Sequence, residues 1–285
     1  MWFILTKKLG LLILICFLSM SLMACGKTEQ KTPPRNESNL LEQIKKKGKV
    51  TVGTEATMIP FEYIQDGKIV GYGSDILAEI AKSLGVEVEQ LDVPFSGILS
   101  GLEEKKFDFI ATAIVVTPER KEKFGVTIPI ADSTFVLMKR YQDDSIKTIE
   151  DLNGKIVGTQ AGSAAEKKLQ AYNEQFKKAG KEGIKEMKQY QSYPEAYLDL
   201  KNGRIDVIDQ AKPIGDYMIK EEPNTYELVS ISQEEPRYIS WVVRKEDKEL
   251  LEFINAEILK MKKSGKLAEL QQKWFGTTWN LPDSL

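Results

Sequence analysis

A short block, Thr117-Pro118-Glu119-Arg120, has the residue types and spacing that suit anion binding. Thr117 is a favourable N-cap, Pro118 suits the first helical position, and Glu119 complements the positive end of a helix. The planar guanidinium of Arg120 then lies beside backbone N–H groups and can hold a carboxylate through two parallel hydrogen bonds. The alternative is a surface arginine paired with an acid such as Glu119 or Glu122.

A second polar turn, Gln160-Ala161-Gly162-Ser163, lies between a predicted strand and a predicted helix. Gly162 lets the backbone approach a ligand closely, and Ser163 either caps the helix or donates a hydrogen bond to an anion. A simple strand–turn–helix cap is the alternative interpretation. No Walker A loop or dinucleotide fingerprint occurs with its full spacing, so the sequence does not support a phosphate cofactor.

The composition removes several other chemistries. The 285 residues include no histidine, which excludes His-based triads, His metal sites and His pH switches. Only two cysteines, Cys16 and Cys25, are present, which excludes Cys-rich zinc and iron–sulfur sites. Forty basic and 42 acidic residues give a formal charge of −2, so the chain has no net positive charge that would attract nucleic acid. We expect no metal, no cofactor and no nucleic-acid partner.

Two aspartates, Asp108 and Asp206, recur at equivalent places just before predicted strands. Two carboxylates that face one cleft could perform glycosidase-like acid–base chemistry. Their position before buried strands fits hydrogen bonds to backbone or turn groups better. We therefore predict a structural role for both aspartates.

The first 26 residues differ from the rest of the chain. Two lysines precede an uncharged run of 18 residues that ends Leu22-Met23-Ala24-Cys25-Gly26. This order is typical of an export signal, and an uncleaved membrane anchor is the alternative. The ending resembles the lipobox of bacterial lipoproteins, which implies that Cys25 carries a lipid such as palmitate. We assign residues 1–24 to a signal peptide and residues 25–39 to the lipidated cysteine and a flexible tether.

The elements that position the polar turns alternate between strands and helices after Leu40. Val50-Thr51-Val52 predicts a short strand, and Ser74 predicts the N-cap of a helix that Gly85 ends. The apolar run from Phe107 to Val116 is typical of a buried parallel strand. This alternation predicts an open α/β sheet.

The second half of the chain repeats the pattern of the first half. Val52-Gly53-Thr54-Glu55-Ala56 returns 105 residues later as Val157-Gly158-Thr159-Gln160-Ala161, and Phe107-Asp108-Phe109-Ile110 returns 98 residues later as Ile205-Asp206-Val207-Ile208. The repeat predicts two lobes of similar design around a hinge cleft. We assign residues 40–138 to lobe 1, 139–238 to the hinge and lobe 2, and 239–285 to a return to lobe 1. The two crossovers are expected near residues 139–142 and 235–240.

Residues 41–276 resemble bacterial extracellular solute-binding proteins of family 3, the receptors of amino-acid ABC importers. The resemblance rests on the order and spacing of several blocks: VGTEATMIPFEY, GKIVGYGSDILAEIAKSLGV, FSGILSGLEEKKFDFIATAIVVTPERKEKF, LNGKIVGTQAGS and LKNGRIDVIDQ. It implies an α/β periplasmic-binding-protein-like fold of type II, with two lobes that close over an amino acid or related small carboxylate. It further implies delivery to an ABC permease and its ATPase, at the extracytoplasmic face of the membrane. We expect a lipid-anchored monomer without enzymatic activity.

The resemblance also implies roles for individual residues. Arg120 matches the arginine that binds the ligand carboxylate, and Gly162 with Ser163 match a turn that contacts the same group. Glu55 falls where receptors for basic amino acids carry an acid that faces the ligand side chain. Phe95 falls at an apolar wall position and Thr112 at a polar one. Three further candidates for the cleft are Met58, which replaces the usual aromatic lid residue, Ala113, and Phe61, an aromatic residue near a predicted strand end.

The residues expected to bind the α-amino group of the ligand depart from the family pattern. The aspartate that usually binds the α-amino group falls at Ala211, and a Ser or Thr that usually faces the ligand falls at Val115. Asp209 lies two residues before Ala211 and shares its face if the strand extends that far. A ligand other than a standard α-amino acid therefore remains an open alternative.

Two other functions remain as alternatives. Cyclohexadienyl dehydratases resemble the same family, and an enzyme of this kind would need an acid–base group such as Glu55 or Asp209. The absence of histidine and the predicted lipid tether weigh against it. A sensory or adhesion module is the second alternative.

Overall fold

A computed structural model describes residues 39–231 and 236–285 of the chain. The predicted signal peptide, Cys25 and all of the predicted tether before Asn39 lie outside the described residues.

The first lobe consists of one large sheet, a small sheet and the helices that cover them. Its elements before the first crossover are α1 (Leu40–Lys47), β1 (Lys49–Thr54), β2 (Thr57–Met58), β3 (Glu62–Gln65), β4 (Lys68–Val70), α2 (Tyr72–Leu84), β5 (Glu87–Asp92), α3 (Phe95–Glu103), β6 (Phe109–Val115), α4 (Pro118–Lys123), β7 (Phe124–Val126) and β8 (Ala131–Asp132).

The second lobe follows, and the chain then returns to the first. The elements of the second lobe are β9 (Phe135–Arg140), a 3₁₀ turn (Ile149–Leu152), β10 (Ile156–Gln160), α5 (Ala164–Lys178), β11 (Glu186–Tyr190), α6 (Tyr193–Lys201), β12 (Val207–Ala211), α7 (Lys212–Glu221) and β13 (Tyr226–Ser230). The return segment contributes β14 (Tyr238–Arg244), α8 (Lys248–Ser264) and α9 (Lys266–Phe275).

The two large sheets have the same strand order. The first runs β5-β1-β6-β14-β7, with β8 also paired to β14, and the second runs β11-β10-β12-β9-β13. In each sheet three parallel strands are followed by an antiparallel strand that comes from the far side of a crossover. The predicted α/β fold of two similar lobes is therefore confirmed.

The internal repeat has a common packing geometry. The backbone N–H of Thr51 donates to Asp108 over 2.8 Å, and that of Ile156 donates to Asp206 over 2.8 Å. The structural role predicted for both aspartates is confirmed. Each carboxylate ties the start of one parallel strand to the neighbouring strand, so neither aspartate is available for chemistry in the cleft.

The first crossover lies earlier than the sequence predicted. Strand β9 belongs to the second sheet, where Phe135 pairs with Ala211 and Leu137 pairs with Asp209. The chain therefore changes lobes at residues 133–134, between β8 and β9, and residues 135–138 belong to lobe 2 rather than lobe 1. The apolar sequence of β9 is typical of a buried strand in either sheet, so only the pairing identifies its lobe. The chain rejoins the first sheet at Tyr238.

The helix predicted to have Ser74 as its N-cap begins three residues earlier. Its N-cap is Gly71, whose backbone has a φ of 136°. A side chain at this position would place Cβ 2.1 Å from the carbonyl oxygen of Phe61. Glycine is therefore required at Gly71, because the chain turns tightly against the segment that leads to β3.

Candidate functional site

A cavity of about 50 Å³ lies between the lobes, near the carboxyl ends of the central strands of both sheets. Open α/β sheets commonly bind ligands at this edge. Six of the residues predicted from sequence line the cavity. Met58, Phe95, Ala113 and Arg120 come from lobe 1, and Ser163 and Asp209 come from lobe 2.

Arg120 is held at the cavity wall by the start of α4. Thr117 caps this helix, since its hydroxyl accepts a hydrogen bond from the N–H of Arg120 over 3.2 Å. The guanidinium donates to the carbonyl of Val115 over 2.8 Å and, across the cleft, to the carbonyl of Gly162 over 3.3 Å. It also lies 5.6 Å from the ring centre of Phe95. The side chain is thus fixed by contacts from both lobes.

The guanidinium of Arg120 forms no salt bridge with an acidic side chain of the described residues, although the charge of Glu119 acts on it from a distance. Glu119, its neighbour on α4, instead pairs with Lys167 of the second lobe. Burial lowers the pKa of Arg120 to about 10, which leaves the guanidinium charged at neutral pH. A buried positive charge with neutral carbonyl partners is stabilised by an anion in the adjacent cavity.

The turn at Gly162 and Ser163 contacts Arg120 of the first lobe and caps a helix of the second lobe. Gly162 has a φ of 77° and presents its carbonyl to Arg120, but it does not line the cavity. Ser163 lines the cavity and caps α5, since its hydroxyl accepts a hydrogen bond from the N–H of Glu166 over 3.0 Å. The helix-cap interpretation of Ser163 is therefore correct.

Glu55 is covered by a residue of the opposite lobe. Its Oε1 accepts hydrogen bonds from the amide of Gln160 and, over 3.1 Å, from the hydroxyl of Thr57. Its Oε2 is buried without a partner. Burial raises the pKa of Glu55 to about 7, against the opposing effect of these hydrogen bonds. Gln160, rather than Glu55, lines the cavity.

Asp209 faces the cavity from β12. The strand extends to Ala211, so both residues lie on the same face and both line the cavity. The hydroxyl of Tyr193 donates to Oδ2 of Asp209 over 2.5 Å, while Oδ1 is buried without a partner. Burial raises the pKa of Asp209 to about 6, although the side chains of Thr159 and Tyr193 and the charge of Arg237 oppose this rise.

Two predicted wall residues lie elsewhere. Phe61 is fully buried in the core of lobe 1, where its ring centre lies 5.8 Å from that of Tyr72 and 5.0 Å from that of Phe275. Thr112 donates to Oε2 of Glu62 over 3.0 Å and does not line the cavity. Successive strand residues point to opposite faces, so Thr112 and its neighbour Ala113 cannot both face the cleft. The wall assignments of Phe61 and Thr112 are wrong.

The sequence missed several residues of the cavity wall. Tyr193, Gln210 and Arg237 line it, and Gln160 had been placed only in a turn. One signal was present for Gln160, because it is the repeat counterpart of Glu55 at the end of the equivalent strand. No comparable signal marks Tyr193, which begins α6 and reaches Asp209 only through the packing of that helix on the second sheet.

Two searches were negative for the described part of the chain. Residues 39–231 and 236–285 contain no group of three or more His, Cys, Asp or Glu side chains that could hold a metal ion. In the same residues, no helix has both the length and the apolar character needed to cross a bilayer.

The family of the chain follows from its match to known sequences. The model of bacterial extracellular solute-binding proteins, family 3, matches residues 50–277. The chain belongs to this family. It is 32% identical over 243 residues to the L-cystine-binding protein TcyJ of Escherichia coli K12, which covers 84% of this chain and 87% of that protein. It is 27% identical over 273 residues to the arginine-binding extracellular protein ArtP of Bacillus subtilis, with 94% and 98% covered.

Solved structures of the family share the fold. A substrate-binding protein of an ABC uptake transporter from Streptococcus pneumoniae, with bound histidine, superposes with a TM-score of 0.77 at 28% identity, over 84% of this chain and 97% of that one. A mutant of ArgBP from T. maritima gives a TM-score of 0.75 at 34% identity, over 83% and 99%. The predicted type II periplasmic-binding-protein-like fold is confirmed. The relatives named here are binding proteins.

Proposed function

We propose that this member of the family is the solute receptor of an ABC importer, and that it captures an amino acid or a related small carboxylate. The observation that carries this proposal is the guanidinium of Arg120, which is buried at the wall of the inter-lobe cavity without an acidic partner among the described residues. Relatives named as cystine-, arginine- and histidine-binding proteins support an amino acid as the solute. The receptor works outside the cytoplasm and delivers the solute to a membrane permease, which is coupled to an ATPase.

The physical argument concerns the cost of burying a charge. Arg120 is only 7% exposed, and its two carbonyl partners are neutral. A solute carboxylate next to the planar guanidinium supplies the missing charge and forms charge-assisted hydrogen bonds. The same contact joins the lobes, because Arg120 belongs to lobe 1 and already contacts Gly162 of lobe 2. Solute capture and closure of the cleft are therefore coupled at this residue.

The proposal includes binding without turnover. An ancestral amino-acid-binding protein, described as a precursor of cyclohexadienyl dehydratase, shares the fold with a TM-score of 0.74 at 29% identity. An enzyme on this scaffold would need an acid–base group free to reach the solute. Of the two candidates, Glu55 is bonded to Gln160 and does not line the cavity, whereas Asp209 lines it and accepts a hydrogen bond from Tyr193. The relatives named as binding proteins support a receptor over an enzyme.

Attachment to the membrane is the third part of the proposal. The residues Leu22-Met23-Ala24-Cys25-Gly26 support lipidation of Cys25, and the polar segment that follows supports a flexible tether. A diacylated cysteine carries two acyl chains, which is enough for stable anchoring. We place the receptor as a monomer on the outer face of the cell membrane.

The test begins with the purified protein. Native mass spectrometry identifies the solute that co-purifies, and calorimetry then measures its affinity for three variants. Arg120→Ala is expected to lower the affinity at least about 30-fold, because the solute carboxylate stays buried without its partner. Arg120→Lys binds poorly as well, since an ammonium does not reproduce the planar fork. Lys121→Ala is the control, because it removes an exposed charge from the same helix.

The result that contradicts the proposal is an Arg120→Ala variant that binds the co-purified solute as tightly as the parent protein. In that case the cavity does not recognise a carboxylate. Consumption of the bound solute by the parent protein would instead favour the enzyme.

A further inference from the structure

Glu62 is a buried acid that lies behind the wall of the cavity. It is the first residue of β3 and is 0% exposed. Its Oε2 accepts a hydrogen bond from the hydroxyl of Thr112 over 3.0 Å, and its Oε1 is buried without a partner. A buried carboxyl group with an unused oxygen lowers the stability of a fold. The elements that Glu62 joins indicate what the group contributes in return.

Glu62 joins two segments of the first lobe that face the cavity. In the hairpin of β2 and β3 it pairs directly with Met58, and a 2.7 Å hydrogen bond from the N–H of Phe61 to the carbonyl of Met58 closes the turn between them. In β6, Thr112 directly precedes Ala113. Met58 and Ala113 line the cavity, whereas Glu62 and Thr112 do not. The hydrogen bond between Thr112 and Glu62 therefore ties one segment of the wall to the other from behind.

The first turn of α2 encloses the other side of the carboxyl group. The N–H of Gly73 donates to the carbonyl of Phe61 over 3.1 Å, which holds the helix against the residue before Glu62. A Cβ atom at Gly73 would lie 1.8 Å from Oε1 of Glu62. The carboxyl group fits between α2 and β6 because residue 73 has no side chain. Its position is thus set by packing as well as by the hydrogen bond.

We infer that Glu62 is the positioning residue of the first-lobe wall: it sets Met58 relative to Ala113 and so determines how closely this wall contacts the solute. The inference rests on the proposed function, because it takes the cavity as the solute site. Glu62 acts through Met58 and Thr112, since it does not line the cavity itself. Residues that contact a ligand need such support, because their geometry is only as precise as the packing behind them.

The protonation of Glu62 decides which replacement is conservative. Burial raises the pKa of Glu62 well above its ordinary value, while the hydrogen bonds from Thr112 and from the backbone of Ala113 oppose this rise. The charge of Glu55 raises the pKa further. The neutral acid is therefore the favoured form in this interior. Glutamine is the conservative replacement, because it has the shape of the neutral acid and keeps a carbonyl oxygen for Thr112.

The first measurement is affinity. Calorimetry identifies the tightest ligand among the twenty standard L-amino acids and L-cystine, and that compound is the probe for every variant. Thr112→Val keeps the shape of the side chain but removes the hydroxyl, and it is expected to lower the affinity about three- to tenfold. Glu62→Leu removes the carboxyl group and should lower the affinity at least about tenfold. Glu62→Gln is expected to bind within about threefold of the parent protein.

The second measurement reports on the wall without any solute. An isotope-labelled methyl group on Met58 gives an NMR resonance, which Met58→Leu identifies by its loss. Thr112→Val and Glu62→Leu are expected to shift this resonance, whereas Glu62→Gln leaves it close to its position in the parent protein. Gly73→Ala should shift it as well, because the new Cβ atom displaces the carboxyl group. A side chain that only filled space would not distinguish Glu62→Gln from Glu62→Leu.

Asp108→Ala is the matched control. It removes another carboxylate that supports β6, the acceptor of the Thr51 N–H, at the end of the strand away from the cavity. Its affinity and its Met58 resonance are expected to match those of the parent protein. Thermal melting shows whether each variant is folded under the assay conditions, and Thr112→Val decides the inference if Glu62→Leu is unfolded.

The outcomes separate the inference from the function on which it rests. If Thr112→Val keeps both the affinity and the Met58 resonance of the parent protein, Glu62 does not position the wall, and the receptor function stands. The same conclusion follows if folded Glu62→Gln binds as weakly as Glu62→Leu. If none of the amino acids binds to the parent protein, the proposed function fails, and the inference fails with it.

Discussion

The carboxylate of Glu55 accepts a hydrogen bond from the amide of Gln160, and these residues occupy equivalent positions of the internal repeat, 105 residues apart. Glu55 directly follows β1 in lobe 1, and Gln160 is the last residue of the equivalent strand β10 in lobe 2. Corresponding points of the two lobes therefore meet across the cleft. The contact also covers Glu55, so that the amide of Gln160 rather than a carboxylate faces the cavity.

Glu55 gives the stability of the protein a pH dependence of predictable sign. Burial raises its pKa from 4.5 to about 7, so the folded protein retains a proton that the unfolded chain has already released. Between these values the folded state binds more protons, and stability therefore falls as the pH rises. The contribution is at most about 1.4 kcal/mol per pH unit.

Glu55→Gln is expected to remove this dependence. The melting temperature of the variant, measured by calorimetry between pH 5 and 7, should fall less with rising pH than that of the parent protein. Glu89→Gln is the control, because Glu89 is only partly buried and its pKa is lowered by the hydrogen bond with Lys49, so it does not titrate in this range. If the melting temperatures of Glu55→Gln and of the parent protein change with pH in parallel, Glu55 is ionised over the whole pH range measured.

Solute binding is expected to close the cleft. The lobes already meet through Ser96 and Gln191, whose side chains are 3.2 Å apart, and through the ion pair of Glu119 with Lys167. A bound solute adds contacts to both lobes, so small-angle scattering should give a smaller radius of gyration with saturating solute. Arg120→Ala at the same solute concentration is the control. The same radius for the free and the saturated parent protein would mean that the cleft does not close.

Membrane attachment is expected to depend on Cys25. The Cys25→Ser variant should appear in the medium or accumulate as a precursor without lipid, because serine provides no thiol for lipidation. Fractionation of membranes with and without detergent measures this, and metabolic labelling with a fatty acid confirms the lipid in the parent protein. A processed serine variant that stays in the membrane until detergent is added would disprove lipid anchoring at this residue.

Asp108 is expected to affect stability but not binding. Asp108→Ala removes the acceptor of the Thr51 N–H, and the free energy of unfolding should fall by about 1–3 kcal/mol. The affinity for the solute should stay within about twofold, in contrast to Arg120→Ala. Denaturant titration and calorimetry on the folded variant separate the two effects. A large loss of affinity with unchanged stability would instead indicate that Asp108 acts in the cleft.

The sequence by itself determined the order of the elements, the two-lobe repeat and the family, and it placed Arg120 directly after the predicted helix cap Thr117. These features depend on short-range rules: apolar periodicity within one element, caps such as Thr117 and Ser163, and a carboxylate just before a strand. The same patterns appear twice in the chain, which made the repeat of the sheet order predictable before either sheet was known.

The tertiary structure decided which side chains meet at the cavity. Phe61 lies in the turn after β2 and Thr112 lies in β6, and both strands contribute other residues to the cavity wall. The side chains of Phe61 and Thr112 are nevertheless in the interior of lobe 1. The assignment of β9 to lobe 2 depends on its pairing with β12, about 70 residues later in the chain. The bond between Tyr193 and Asp209 joins a helix to a strand of another βα unit. Strand register and helix packing set these contacts, and both arise from long-range burial that no local pattern of residues encodes.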